Sequence, residues 1–132
     1  MEELHVYLSD LDRHPPAHAL SADALRQPQT TFMTARVDGT PLACGAAVDH
    51  GEYTELKYMY VLPACRGMGL GKQMLDALER QVRATGGTLV KLETGTAQTE
   101  SIELYERAGY RRCRPFGDHH AVPSSIFMEK PL

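Results

Sequence analysis

Residues 54–72 read TELKYMYVLPACRGMGLGK, and the remainder of the chain is arranged around them. Leu56, Tyr58, Tyr60 and Leu62 alternate with Lys57, Met59 and Val61. This period of two, rich in aromatic and β-branched residues, predicts a strand. Pro63 stops it, because proline has no N–H for the ladder. A glycine-studded turn follows, Arg66-Gly67-Met68-Gly69-Leu70-Gly71. A helix then opens with Leu70, Met74, Leu75, Leu78 and Val82 on one face. Strand, glycine turn and helix together make an anion site. Glycines let backbone approach a ligand, the unpaired N–H groups of the first helical turn point at it, and the helix dipole favours negative charge there. Arg66 and Lys72 add full positive charges. The segment reads as a pyrophosphate cradle.

Which pyrophosphate it takes is decided by spacing. The dinucleotide fingerprint G-x-G-x-x-G fails, since Lys72 or Met74 falls where the last glycine is required. The P-loop fails too, with Gln73 after Gly71-Lys72 and Arg66 in place of its first glycine. The pattern [RQ]-x-x-G-x-[GA] fits Arg66, Gly69 and Gly71. Residues 54–112 resemble the GNAT superfamily of N-acetyltransferases, where that pattern is the acetyl-CoA pyrophosphate loop. A glycine turn alone also serves simply to cap a helix, so the downstream elements carry the weight.

Composition bounds the rest. The chain has 132 residues, enough for one domain (1–132) with one core. Hydrophobic residues make up 42% and the net charge is −3, no electrostatic footprint for nucleic acid or an anionic membrane. No apolar run approaches the roughly 18–20 residues that span a bilayer. The N-terminus MEELHVYLSDLDR is acidic and amphipathic rather than signal-like, so a cytoplasmic location is expected. Three widely spaced cysteines, Cys44, Cys65 and Cys113, suggest reduced thiols. Of the histidines, His14 and His18 have helical spacing, but Pro15-Pro16 interrupts it, and His119-His120 sits in a loop. No metal site is expected.

Along the chain, Leu4, Leu8 and Leu11 suggest a helix from about Glu2 to Arg13, ended by Pro15-Pro16, and a short helix from about Ser21 to Arg26. Strands are expected over Thr31–Val37 and Pro41–Val48, joined by the hairpin dipeptide Asp38-Gly39. The central helix runs from about Gly69 to Ala84, with Gly86-Gly87 as its cap. Leu89, Val90 and Leu92 begin a strand whose pairing with the organising strand should be parallel. Glu100–Arg107 is a second amphipathic helix capped by Gly109. Tyr110–Arg114 and Ser125–Lys130 are the last strands, around the loop PFGDHHAVP. The fold class is α/β with a mixed sheet. The resemblance implies the acyl-CoA N-acyltransferase fold, a central mixed sheet with helices on both faces. Members usually begin with a strand. This chain begins in helix-like sequence, so either the start is shortened and the first strand absent, or residues 1–6 contribute something other than the helix their spacing suggests. A sheet edge left uncovered in that way would invite pairing into a homodimer.

The resemblance assigns roles residue by residue. Acetyl-CoA, as co-substrate, would lie on Arg66, Gly67, Met68, Gly69, Leu70, Gly71 and Lys72. Its pantetheine arm would run along the backbone of Met59, Tyr60 and Val61. The organising strand would splay from its parallel neighbour, freeing one N–H to polarise the thioester carbonyl as an oxyanion hole does. QTESIELYERAGY, residues 98–110, resembles the family's closing motif through Tyr105, Gly109 and Tyr110. Gln98 and Ser101 stand where Asn and Ala are commoner, and are placed with the cofactor-binding residues. Tyr105 would be the general acid to the CoA sulfur. A phenol near pKa ≈ 10 keeps its proton at pH 7, and a thiolate near ≈ 8.5 can accept it. Read from its helix alone, Tyr105 is equally a packing residue. Glu55 would be the general base, directly or through water, with Glu93 a second candidate. Its ordinary pKa of ≈ 4.3 suits the task only if burial raises it. An exposed strand carboxylate is the plainer alternative for Glu55.

The expected function is N-acetyl transfer from acetyl-CoA to a primary amine of a small molecule or peptide, by direct attack in a ternary complex. The competing readings are a CoA-binding sensor or interaction module without turnover, and a binder of other nucleotide phosphates.

Overall fold

The computed structural model describes residues 3–5, 27–67 and 69–132. Its strands are β1 (Glu3–His5), β2 (Thr30–Val37), β3 (Thr40–Asp49), β4 (Thr54–Val61), β5 (Leu89–Gly95), β6 (Arg111–Cys113) and β7 (Ser125–Pro131). Its helices are α1 (Leu70–Ala84) and α2 (Thr99–Arg107), with a 3₁₀ turn at Pro63–Cys65 between β4 and α1. One seven-stranded sheet runs in the order β1-β2-β3-β4-β5-β7-β6. Every pair is antiparallel except β4 with β5. The α1 crossover makes that one parallel pair, because a parallel neighbour needs a long connection.

The N-terminus corrects the sequence reading. Residues 3–5, expected in a helix, form β1, with Leu4 opposite Ala35. The helical spacing of Leu4, Leu8 and Leu11 is a local signal, and pairing with β2 overrides it here. A first strand is therefore present, three residues long among the described residues. β1 covers the β2 edge over Thr34–Arg36. The rest of the expected first helix, and the short one over 21–26, lie outside the described residues, as does Met68 of the glycine turn.

Alternation sorts the sheet into two faces. Ala35, Ala43, Ala47, Leu56, Val90, Leu92 and Met128 point to one side, where Leu70, Met74, Leu75, Leu78 and Val82 of α1 and Tyr105 of α2 meet them. Met74, Leu75 and Leu78 are fully buried, each worth about 1.5–3 kcal/mol of transfer free energy. The other face carries Phe32, Cys44 and Ala46, with Tyr58 and Tyr60 against them. Both described helices end in Schellman caps. Gly109 (φ 101°) donates to the carbonyl of Glu106 and Tyr110 to that of Tyr105. Gly86 and Gly87 do the same for α1 at Arg83 and Val82.

A buried polar cluster locks α1 to β7. Glu79, 3% exposed, accepts from the Tyr110 hydroxyl at 2.8 Å and from Lys130 Nζ at 2.9 Å. Burial, then the adjacent Glu79 carboxylate, push the Tyr110 hydroxyl far above its ordinary pKa. Tyr110 of the closing motif is thus a structural hydrogen-bond donor.

Candidate active site

The cradle is built by backbone. Gly69 caps α1 in the left-handed region (φ 80°), and Gly67 is left-handed as well (φ 84°). An added Cβ at either would meet nothing within 4 Å. These positions need glycine for conformation, and the space beside them is open. The first intrahelical bond from beyond the cap is Gln73 N–H to Gly69 C=O at 3.0 Å, which leaves the preceding amides without helical acceptors. No side chain caps them, and the first turn holds no acidic residue. The donors fit a diphosphate. Gly71 has a different reason to lack a side chain: a Cβ there would come within 3.2 Å of Leu104 on α2. Arg66 does not project freely. Its Nε donates to the Val61 carbonyl at 3.1 Å and its guanidinium lies 5.7 Å from the Tyr60 ring centre. Lys72 is exposed and pairs with Asp76 at 3.0 Å.

A slot opens next to the cradle. β4 pairs with β5 only over Thr54–Leu56, opposite Val90–Leu92. Beyond Leu56 and Leu92 the two strands continue, β4 to Val61 and β5 to Gly95, without pairing to each other. The cause is visible on the other side of β4. Its register with β3 shifts between Cys44 and Ala46, where one extra residue of β4 is accommodated. Tyr58 takes φ 59° in this bulge, at a cost of about 1–3 kcal/mol for a non-glycine residue. Gly45 permits it. A Cβ there would fall 2.6 Å from Met59 Sδ and 2.9 Å from Leu78 Cδ1. The Cys44 thiol donates to the Tyr58 carbonyl at 3.3 Å, holding the bulge from behind.

Tyr105 comes to the slot from the helical face, within the same apolar cluster as Leu70, Met59 and Val61. It is 6% exposed, and its ring meets Tyr110 edge-on at 5.7 Å. Among the described residues its hydroxyl has no hydrogen-bond partner. Burial pushes its pKa up to about 12. The proton is firmly held and the hydroxyl is free to donate. Gln98 stands at the start of α2, exposed, with its side-chain oxygen 3.4 Å from the Thr94 hydroxyl, and Ser101 is half-buried one turn on.

Glu55 is on the opposite face and is not the exposed strand carboxylate that its sequence position allows. It is 5% exposed, and both oxygens are engaged. Oε1 lies 3.1 Å from His50 Nε2, and Oε2 lies 2.9 Å from His119 Nε2. The other nitrogen of His119 is 3.3 Å from Glu93 Oε1, and Glu93 Oε2 accepts from the Ser125 hydroxyl at 2.6 Å. One chain of contacts runs His50–Glu55–His119–Glu93–Ser125. The loop after β6 brings His119 there, anchored by Phe116 packed edge-on against Tyr53, Phe127 and His119 itself. The structure thus joins Glu55 with Glu93, as two candidate bases, and adds His50 and His119. The sequence carried a partial signal for His119 in the PFGDHH loop and none for His50. Cys65 packs against the α1-side cluster. Among the described residues no group of three His, Cys, Asp or Glu is placed to hold a metal ion, and no helix is long and apolar enough to cross a membrane.

An open helix start with unpaired amides, leading into a slot between two splayed parallel strands, is the arrangement expected of a transferase of acyl groups carried on a diphosphate-bearing co-substrate. A model of the acetyltransferase (GNAT) family matches residues 1–110, and the chain belongs to that family. The chain is 42% identical over 134 residues to an IAA acetyltransferase of Azospirillum brasilense, covering all of this chain and 88% of that one. A Klebsiella pneumoniae protein assigned as an acyl-CoA N-acyltransferase superposes with a TM-score of 0.81 at 29% identity, covering 100% of this chain and 98% of that one. A PaiA N-acetyltransferase from Thermoplasma acidophilum, solved with coenzyme A, has the same fold: TM-score 0.70, 20% identity, 79% of this chain and 62% of that one. The protein is an acetyl-CoA-dependent acetyltransferase.

Proposed function

We propose that the enzyme transfers acetyl from acetyl-CoA to a primary amine by direct attack in a ternary complex. The carrying observation is that the β4–β5 ladder ends at Leu56 and Leu92, with Tyr105 on one side of the opening and Glu55 on the other. The diphosphate binds the amides of Gly67, Gly69, Leu70, Gly71 and Lys72, and Arg66 and Lys72 contribute charge at the rim. The arm follows Met59, Tyr60 and Val61, beside Gln98 and Ser101. An unpaired β4 amide past the bulge polarises the thioester carbonyl, an interaction worth about 3 kcal/mol in the transition state. Glu55, with its two oxygens held by His50 and His119, belongs to the proton-accepting side of the site.

Tyr105 supplies the hydrogen bond to the departing sulfur. At about 12 its proton would move to a solvated thiolate, at ≈ 8.5, only at a cost of about 5 kcal/mol. Desolvation raises a thiol's pKa as it raises that of a phenol, so a sulfur held out of water beside Tyr105 is closer in pKa to it than a solvated one. The acceptor is a small-molecule or peptide amine. The test is free-thiol release from acetyl-CoA across a panel of primary amines, alongside melting with and without CoA. CoA should raise the melting temperature and at least one amine should liberate thiol. A cradle that CoA leaves unstabilised, with no thiol released, refutes the proposal.

A further inference from the structure

Glu55 cannot meet an incoming ammonium directly, because His50 and His119 cover its two oxygens and it is buried. His50, His119 and Glu93 are the exposed members of the same chain, His50 lying before β4 and Glu93 beyond the last β4–β5 pair. Glu93 is the first β5 residue beyond the last paired position, Leu92, so it stands at the mouth of the slot. Its side chain is 33% exposed and that of His119 29%, against 7% for Glu55. The 3.3 Å contact between His119 Nδ1 and Glu93 is longer than the 2.9 Å contact to Glu55. A ring whose two nitrogens both face carboxylates donates from both only as imidazolium. As the neutral ring it donates from one nitrogen and leaves the other as an acceptor.

We propose that His119 is the group that takes the proton from the acceptor ammonium, with Glu93 as the carboxylate that seats that ammonium and Glu55 as the buried anchor of the ring. This rests on the amine-acetylation reading above. The ammonium binds at Glu93 and opens the longer contact. Neutral His119, its Nε2–H donating to Glu55, accepts at Nδ1 one proton from R–NH3+. The resulting R–NH2 attacks the thioester carbonyl, the C–S bond breaks, the sulfur leaves as thiol with the Tyr105 proton, and the second proton shed by the acylated nitrogen restores Tyr105. One proton is released overall, and it departs from the imidazolium to solvent on the exposed side of the ring. The groups around His119 are Glu55 of β4, Glu93 and Lys91 of β5, His50 of the β3–β4 turn acting through Glu55, and its loop neighbours Asp118 and His120.

The experiment compares His119→Gln and Glu93→Gln with the unaltered enzyme, from pH 6.5 to 9.5. The acceptors are tyramine, spermidine and an alanyl peptide as alkylammonium probes, and hydroxylamine, whose nitrogen is largely unprotonated at neutral pH. His119→Gln should lower kcat at pH 7 about 100-fold for the alkylammonium probes, leave KM for acetyl-CoA in place, and recover as pH rises. Hydroxylamine should lose little, and added imidazole should restore part of the rate to His119→Ala. Glu93→Gln should raise KM for the alkylammonium probes more than for hydroxylamine. Equal losses for both kinds of acceptor at every pH would make His119 merely structural and overturn the proposal, as would full activity in His119→Gln. If the unaltered enzyme binds CoA but acetylates none of the probes, the amine reading itself fails and takes this one with it.

Discussion

Tyr105→Phe removes one oxygen from a hydroxyl that has no partner among the described residues, and this makes its consequences separable. No buried donor or acceptor is orphaned, so stability at pH 7 should change by well under about 1 kcal/mol. Coenzyme A affinity should stay nearly intact, since the cradle is backbone at Gly67–Gly71 and Tyr105 touches it only through packing. The rate should not survive. A single donor to developing charge is worth about 2.7–4 kcal/mol, a fall of 10²- to 10³-fold in kcat. The alkaline behaviour gives a second readout. Folding raises the Tyr105 pKa from 10.0 to about 12. A pKa raised in the folded state gives stability that is complete below the unfolded value and is lost as pH climbs through the folded one. Two units correspond to about 3 kcal/mol, lost between about pH 10 and pH 12. Tyr105→Phe should abolish that part of the decline. Urea denaturation from pH 8 to 12, with thiol release at pH 7.5, measures both. A variant that keeps the normal kcat, or loses CoA affinity as steeply as kcat, refutes the role given to this hydroxyl.

The remaining predictions concern what holds the slot open. Glu79→Ala strands Lys130 and the Tyr110 hydroxyl and should cost about 3 kcal/mol, a fall in Tm on the order of 10 °C; a change within about 2 °C by calorimetry would show that the pair is replaceable. Gly45→Ala drives a Cβ into Met59 and Leu78, so it should cost about 1–3 kcal/mol and lower kcat by shifting the bulge; unchanged stability and rate would remove Gly45 from the account. Cys44, lifted from 9.0 to about 12 by burial, should contribute about 4 kcal/mol that disappears between pH 9 and pH 12, and Cys44→Ala should flatten that limb of the urea-measured stability curve.

Local sequence determined much of this protein. The dipeptide Asp38-Gly39, the apolar stripe of α1 and the capping glycines 86 and 109 each state a conformation within a few residues and form as read, whereas the alternation in 54–62 marked the strand but not its faces, because the bulge turns Tyr58 and Tyr60 to the face opposite Leu56. The spacing of Arg66, Gly69 and Gly71 marked the cradle, because a phosphate held by consecutive backbone amides leaves a continuous trace in the chain. Contacts between distant residues leave no such trace. β1 exists because β2 offers an edge to pair with, against the helical period of its own residues. The bulge at Tyr58 depends on Gly45, thirteen positions earlier in a different strand. His50, Glu55, Glu93, His119 and Ser125 are scattered over five separate elements, and only the sheet register and the loop pinned by Phe116 bring their polar atoms within hydrogen-bonding reach. A spacing rule reads residues that share one element; it has no period for residues that meet across a sheet.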